Sequence, residues 1–213
     1  MAIASNGPNG FHRGRIGNVV YYVLNGQNVS RRIGEYPDPN TEKQQAARLK
    51  TKMCSAFLQH VNDFIEIGFG REALNTPKNS FNIAVAYNKP NMFNGTFPNL
   101  EIGYDLLILS KGPLTPAQNP KVIQTEAGLS FSWDADPKMP FPMNTDQVML
   151  LAYFPKVKKS YYTLFGTNRS SGTALLQIPE SLKDKYMETY ITFASADGKT
   201  VADSTYTGSF NKP

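Results

Sequence analysis

Short segments in which apolar and polar residues alternate recur along the C-terminal half of the chain. In one of them Leu129, Phe131 and Trp133 occupy every second position, which is the spacing of side chains on one face of a strand. Seven such segments cover residues 121–125, 128–134, 146–154, 160–166, 173–178, 186–195 and 201–210. A series of short, evenly spaced strands is typical of a β-sandwich, so we expect two packed antiparallel sheets in this half.

A β-hairpin is predicted near the N-terminus. Val19–Leu24 and Gln27–Arg32 are rich in residues that favour strands. Asn25 and Gly26 between them accept the positive φ angles of a type I′ turn, which is the common two-residue hairpin loop. Residues 1–17 are rich in Gly, Asn and Arg and predict a flexible or extended arm before the hairpin.

A long helix is predicted after the prolines at positions 37 and 39. Thr41 and Gln44 form a T-x-x-Q capping pattern, which marks a helix start. Apolar residues then recur at spacings of three and four up to Gly68, where we expect the helix to end after about seven turns. A hairpin with one or two helices is a small core for so long an apolar stripe, so part of the stripe is expected to be covered either by the sandwich or by another copy of the chain. Two shorter elements are predicted, a helix over residues 80–88 and a strand over residues 100–110.

Residues 111–120 contain three prolines and separate two kinds of pattern. We therefore predict an α+β N-terminal domain, a β-hairpin plus a long helix, over residues 1–112. An all-β sandwich is predicted to follow over residues 118–213.

The positive charge of the chain is concentrated near its N-terminus. The formal net charge is +5, and residues 1–60 hold eight basic and three acidic residues, so the rest of the chain is neutral. A two-stranded ribbon that carries arginines fits a DNA groove, and basic side chains neutralise phosphates. The candidate nucleic-acid-binding residues are Arg13, Arg15, Arg31, Arg32, Lys50 and Lys52.

The residue types for metal binding and nucleophilic catalysis are scarce. His12, His60 and Cys54 are the only histidines and cysteine, and neither C-x-x-C nor H-E-x-x-H occurs. Asp134, Asp136, Asn144 and Asp146 lie in one loop region, but their spacing fails the EF-hand pattern. We therefore expect no metal site, no cofactor and no catalytic residues, and a single cysteine forms no intramolecular disulfide.

The N-terminal residues lack the apolar core of a secretory signal, and the longest apolar runs are VVYYVL and VMLLAYF. Both runs are far shorter than the ~20 residues of a membrane-spanning helix. The expectation is a protein of the cytoplasm that does not contact a membrane.

Two resemblances extend this interpretation. The segments LSFSW, which ends at Trp133, and YITFASADGKTVADS make residues 118–213 resemble fibronectin type III and immunoglobulin-like sandwiches. The segments GNVVYYVLNGQNVSRR, TEKQQAARLK, NSFNIAVAYN and FPNLEIGYDLLILSKGPL make nearly the whole chain similar to a family of unknown function from Bacteroidota. The first resemblance implies an immunoglobulin-like fold, and the second implies no activity.

The function expected from these observations is that of a non-enzymatic structural or protein-interaction protein. The hairpin and helix are expected to mediate assembly, and the sandwich is expected to contact a partner, as in a phage-derived particle. One alternative is a nucleic-acid-binding module that uses the basic hairpin, and another is a carbohydrate-binding module, since such sandwiches serve several roles.

Overall fold

The structure of the protein is a computed structural model that describes residues 2–5, 7, 10–35, 37–74, 76–136 and 138–213. Its contacts divide the chain into two compact units, Met1–Thr41 and Glu42–Pro213. This division falls before the helices and not near residues 111–120, because the helices share a hydrophobic core with the strands that follow. The domain bounds 1–112 and 118–213 stay a prediction.

The first unit is a four-stranded antiparallel sheet with the order β1-β2-β3-β4. Its strands are β1 (Ala2–Ser5), β2 (Phe11–Ile16), β3 (Val19–Leu24) and β4 (Gln27–Arg32). The predicted hairpin is confirmed as β3 and β4, and the φ angles of Asn25 and Gly26 are 48° and 78°, as a type I′ turn requires. The prediction of an arm over residues 1–17 was wrong for β1 and β2, because β2 pairs with β3 and β1 with β2.

The second unit begins with four helices, α1 (Glu42–His60), α2 (Asn62–Gly68), α3 (Gly70–Leu74) and α4 (Ser80–Asn88). The helix start next to Thr41 and the helix over residues 80–88 are confirmed. The prediction of a single long helix was wrong, because the helix is interrupted at Val61. The N–H of Val61 donates to the carbonyl of Leu58, three residues earlier, and not to a carbonyl four residues earlier.

The predicted strand over residues 100–110 is reduced to two residues. The structure has a short pair of strands, β5 (Phe93–Asn94) and β6 (Glu101–Ile102), and then a 3-10 turn at Tyr104–Leu106. Side chains replace a neighbouring strand beyond that point. The side-chain amide of Asn88 donates to the carbonyl of Ile108 at 2.7 Å and accepts from the N–H of Ile108 at 2.8 Å. The Ser204 hydroxyl accepts from the N–H of Leu109 at 2.8 Å.

All seven predicted strands of the C-terminal half are present. They are β7 (Lys121–Thr125), β8 (Gly128–Ser132), β9 (Gln147–Phe154), β10 (Lys159–Thr163), β11 (Thr173–Gln177), β12 (Met187–Ala194) and β13 (Thr205–Phe210). They form two antiparallel sheets, a four-stranded one with the order β10-β9-β12-β13 and a three-stranded one with the order β11-β8-β7. The fold class is therefore mixed, with strands, then helices, then antiparallel sheets.

The four-stranded sheet is covered on both faces. Alternate residues of β9 and β12, such as Leu150 and Phe193, pack with Phe131 of the three-stranded sheet in one hydrophobic cluster. The residues between them, such as Leu151, pack with Phe57 of α1 and with the other helices in a second cluster. The apolar stripe of α1 is thus covered by the chain's own core. No helix in the described part of the chain combines the length and the apolar character needed to cross a bilayer.

Candidate functional site

The sheet of the first unit places three of its four arginines on one face. Arg15 of β2 pairs with Val20 of β3, and Val20 pairs with Arg31 of β4, so these three side chains form a row. Arg13 lies two residues before Arg15 on the same strand and shares its face. Arg32 pairs with Val19 and therefore lies on the opposite face, because adjacent residues of a strand point to opposite sides.

Apolar side chains lie between these arginines. Ile3 pairs with Arg13, and β3 adds Tyr22 and Leu24 to the same face. Ile3 is 71% exposed and Leu24 is 54% exposed. We call this surface the arginine face, and it consists of Ile3, Phe11, Arg13, Arg15, Val20, Tyr22, Leu24, Val29 and Arg31. It combines positive charge with exposed apolar area.

The two lysines of the predicted site belong to the second unit. Lys50 and Lys52 lie on α1, and the Nζ of Lys50 stands 5.6 Å from the ring centroid of Phe93 in a cation–π contact. The half-buried Lys50 is therefore engaged within its own unit. The structure thus places four of the six predicted residues in the N-terminal sheet and the other two on a helix of the second unit.

The second unit contains a cleft of about 710 Å³ that sequence reasoning missed. Its lining includes the charged residues and tyrosines Glu101, Tyr104, Asp105, Tyr186, Glu188, Tyr206 and Lys212. We call this cavity the tyrosine cleft. Its lining comes mainly from β6 and the segment that follows it, from β12 and β13, and from residues next to these two strands.

A buried carboxylate forms the floor of the tyrosine cleft. Glu188 pairs with Tyr153 across β9 and β12, which directs its side chain to the helix side of the sheet. It is 2% exposed. Its Oε2 accepts a hydrogen bond of 2.6 Å from the phenol of Tyr206, and its Oε1 accepts one from the phenol of Tyr186.

The phenols around Glu188 are held in their protonated form. Burial, followed by the hydrogen bond to Glu188 and its charge, raises the pKa of Tyr186 and of Tyr206. The phenol of Tyr190 donates to the backbone carbonyl of Tyr104 at 2.7 Å. Because these phenol O–H groups already donate hydrogen bonds within the protein, the floor of the cleft presents mainly oxygen acceptors to a ligand.

The residues considered for metal binding do not converge. Asp146 lies 3.2 Å from the Nη2 of Arg169 in a buried ion pair that lacks the alignment of a hydrogen bond, and Asp134 accepts from the Asn119 amide at 2.6 Å. Among the described residues no group of three His, Cys, Asp or Glu side chains could hold a metal ion.

One signal for the tyrosine cleft was present in the sequence. Tyr186, Glu188 and Tyr190 alternate in the last but one predicted strand, so a carboxylate shares a face with two tyrosines. The partners that complete the cleft, Tyr104 and Tyr206, lie 86 and 18 residues from their bonding partners and have no sequence signal of their own.

Comparison with known proteins identifies the family but no relative of known function. No curated protein and no solved structure matches the chain. One family model matches residues 11–208, and its description is a family of unknown function, DUF6266. The match includes β2, β3 and β4 of the N-terminal sheet and all the helices and strands that follow, except the last two residues of β13. The chain therefore belongs to the DUF6266 family.

Proposed function

We propose that the protein is a non-enzymatic structural or interaction protein that assembles with a second copy of itself through the N-terminal sheet. The observation that carries this proposal is the exposure of that sheet. Among the described residues of Met1–Thr41 none is buried, and the two outer strands, β1 and β4, each pair on one side only. A small sheet without a covered face is marginal in water, so a partner strand would stabilise it.

The outer edge of β4 has a defined set of free backbone groups. A two-residue loop makes Leu24 and Gln27 a hydrogen-bonded pair, and such pairs alternate along an antiparallel ladder. The N–H groups of Gln27, Val29 and Arg31 therefore point towards β3. Those of Asn28 and Ser30 point away from the sheet, where a second strand can pair with them.

The sequence of β4 suits pairing with itself. An antiparallel register centred on Ser30 places Arg32 of one copy opposite Asn28 of the other, and Arg31 opposite Val29. No two arginines then lie directly opposite each other, and like charges in that position would be destabilising. The result is a two-fold symmetric dimer with one continuous sheet of eight strands, in which both copies use the same edge.

A cysteine at the symmetry axis tests this register. A hydrogen-bonded antiparallel pair has Cα atoms ~5.5 Å apart, which lies within the range of disulfides. Ser30→Cys is expected to give a covalent dimer on mild oxidation, and the native Cys54 does not compete because it is buried. Ser132→Cys, at an exposed position of β8, is the matched control and is expected to remain monomeric in a denaturing gel. A Ser30→Cys protein that cross-links no faster than this control contradicts the proposal.

The second candidate function is nucleic-acid binding, which the row formed by Arg15, Val20 and Arg31 favours. It predicts binding that weakens steeply with salt, and Arg15→Ala with Arg31→Ala should reduce the slope of log K against log salt by about two. Arg32→Ala on the opposite face is the control. Binding that is absent or insensitive to salt removes this alternative. The apolar residues of the arginine face have no role in phosphate contact, which favours assembly.

We propose further that the two sheets of residues 121–210 form an immunoglobulin-like sandwich of the fibronectin type III kind. The strand order supports this. The first two strands, β7 and β8, pair with each other, the chain crosses to the other sheet for β9 and β10, and β11 returns to pair with β8. Such crossings are typical of Greek-key sandwiches. A Bacteroidota origin, a cytoplasmic location and a role in a phage-derived particle are parts of the same proposal, as is the use of the sandwich to contact a partner.

The carbohydrate-binding alternative would use the tyrosine cleft, where aromatic rings and carboxylates lie together. A calorimetric titration with N-acetylglucosamine tests this alternative.

A further inference from the structure

Glu188 is a buried carboxylate without a cationic partner. It is 2% exposed, and in the described part of the chain no Lys, Arg or His nitrogen forms an ion pair with it within 4.0 Å. Buried charges are normally paired, because removal of an ion from water is costly. Two phenols donate to Glu188, but they are neutral and do not balance its charge. A bound cation would supply the positive charge that the protein itself does not place next to Glu188.

The rim of the tyrosine cleft extends this negative character. Glu101 and Asp105 line the cleft and are exposed, and Lys212 is the one basic residue among the described lining residues. Three carboxylates and one ammonium group therefore surround the cavity. Low-dielectric walls around charges of one sign concentrate ions of the opposite sign.

Three half-buried tyrosines supply the walls. Tyr104, Tyr186 and Tyr206 line the cavity beside Glu188. Aromatic rings next to a carboxylate attract ammonium and guanidinium groups, since the negative face of the ring adds to the charge. The volume of about 710 Å³ admits a ligand of the size of an amino acid or larger.

We propose that the tyrosine cleft binds an organic cation that carries an ammonium or guanidinium group. Glu188 is the buried counter-ion, Tyr104, Tyr186 and Tyr206 are the walls, and Glu101 and Asp105 draw the cation to the rim. A ligand that donates hydrogen bonds matches a floor whose own phenol hydrogens are committed. This assignment does not depend on assembly through the N-terminal sheet.

The experiment is a calorimetric titration of the full chain with N-acetyl-arginine amide and with methylammonium chloride. N-acetylglucosamine and sodium acetate are titrated at the same ionic strength. Both cations are expected to bind, and acetate is not. Glu188→Gln is expected to weaken cation binding about tenfold, which corresponds to about 1.4 kcal/mol. Glu126→Gln, an exposed carboxylate in the turn between β7 and β8, is the control and should bind as the native protein does.

A second variant keeps the test decisive if Glu188→Gln does not fold, which circular dichroism would show. Glu101→Gln combined with Asp105→Asn changes only exposed rim residues, and it is expected to weaken cation binding about threefold, more at low salt than at high salt. Binding of N-acetylglucosamine without cation binding overturns the proposal. Cation binding that is unchanged in the rim variant overturns it as well. Retention of cation binding in a monomeric Ser30→Pro protein is expected, so failure of the assembly proposal leaves this one standing.

Discussion

Cys54 shows how one buried side chain links packing to pH. It lies in the cluster between the helices and the four-stranded sheet and is fully buried. Burial is the main cause that raises the pKa of its thiol to about 11, and Lys89 opposes the shift. A free cysteine in such a position behaves as a small apolar side chain. The thiol therefore stays neutral in the folded protein over a range where the unfolded chain ionises.

A loss of stability at alkaline pH follows from this shift. The pKa of the thiol is raised in the folded state. The stabilisation that the neutral thiol gives the folded protein is therefore complete below the ordinary thiol pKa of 9.0, and it is lost as the pH rises to about 11. Between pH 8 and pH 10.5 the free energy of unfolding should fall by about 2 kcal/mol more in the native protein than in Cys54→Val. Urea unfolding at both pH values measures this difference. Equal losses in the two proteins would show that Cys54 does not contribute, since the buried tyrosines act equally in both.

At the scale of elements, Gly68 shows why the helical region differs from the pattern in the sequence. A Cβ at Gly68 would lie 2.3 Å from the carbonyl oxygen of Leu109 and 2.9 Å from the Cβ of Ser110. Glycine was expected there as a helix stop, and α2 does end at Gly68. It also allows α2 to pack directly on residues 109–110, a contact that spacing within the helix does not reveal.

Gly68→Ala is therefore expected to destabilise the protein by about 1–3 kcal/mol, because the backbone must move apart to admit a methyl group. Gly70→Ala in α3 is the matched control, since nothing lies within 4 Å of its Cβ position. That change should be neutral or stabilise by up to about 1 kcal/mol through helix propensity. Chemical denaturation compares the two variants, and equal effects would contradict the close packing of α2.

Elements with a local signal were predicted well. The turn at Asn25 and Gly26 and the alternation in β8 and β12 depend on neighbouring residues, which the sequence displays directly. The segment after β6 was misjudged because its backbone groups bond to side chains of distant residues, such as Asn88 and Ser204. The break at Val61 has no proline or glycine to mark it.

At the scale of the whole molecule, the layered core of the second unit was not predictable from patterns. Tyr190 of β12 packs on the helix side and Ile191 on the sandwich side, so both faces of that strand are buried. Alternation in β12 therefore separates two cores and does not separate core from solvent. The tyrosine cleft follows from the same arrangement, because it needs β12, β13 and the segment after β6 in one place.

The proposed dimer forms through the first unit, whose sheet is exposed on its faces and at the outer edge of β4. Ser30→Pro removes an outward N–H group while the bonds of β4 to β3 remain, and Ser30→Ala keeps that N–H group. Only the proline variant should prevent pairing of two copies.

Size-exclusion chromatography with light scattering, recorded at 260 and 280 nm, tests this claim most directly. We expect twice the mass of one 23.7 kDa chain for the native protein and for Ser30→Ala, with a protein-like absorbance ratio, and the mass of one chain for Ser30→Pro. A native protein that stays at 23.7 kDa over a wide range of concentrations would contradict it, as would a dimer that Ser30→Pro leaves intact.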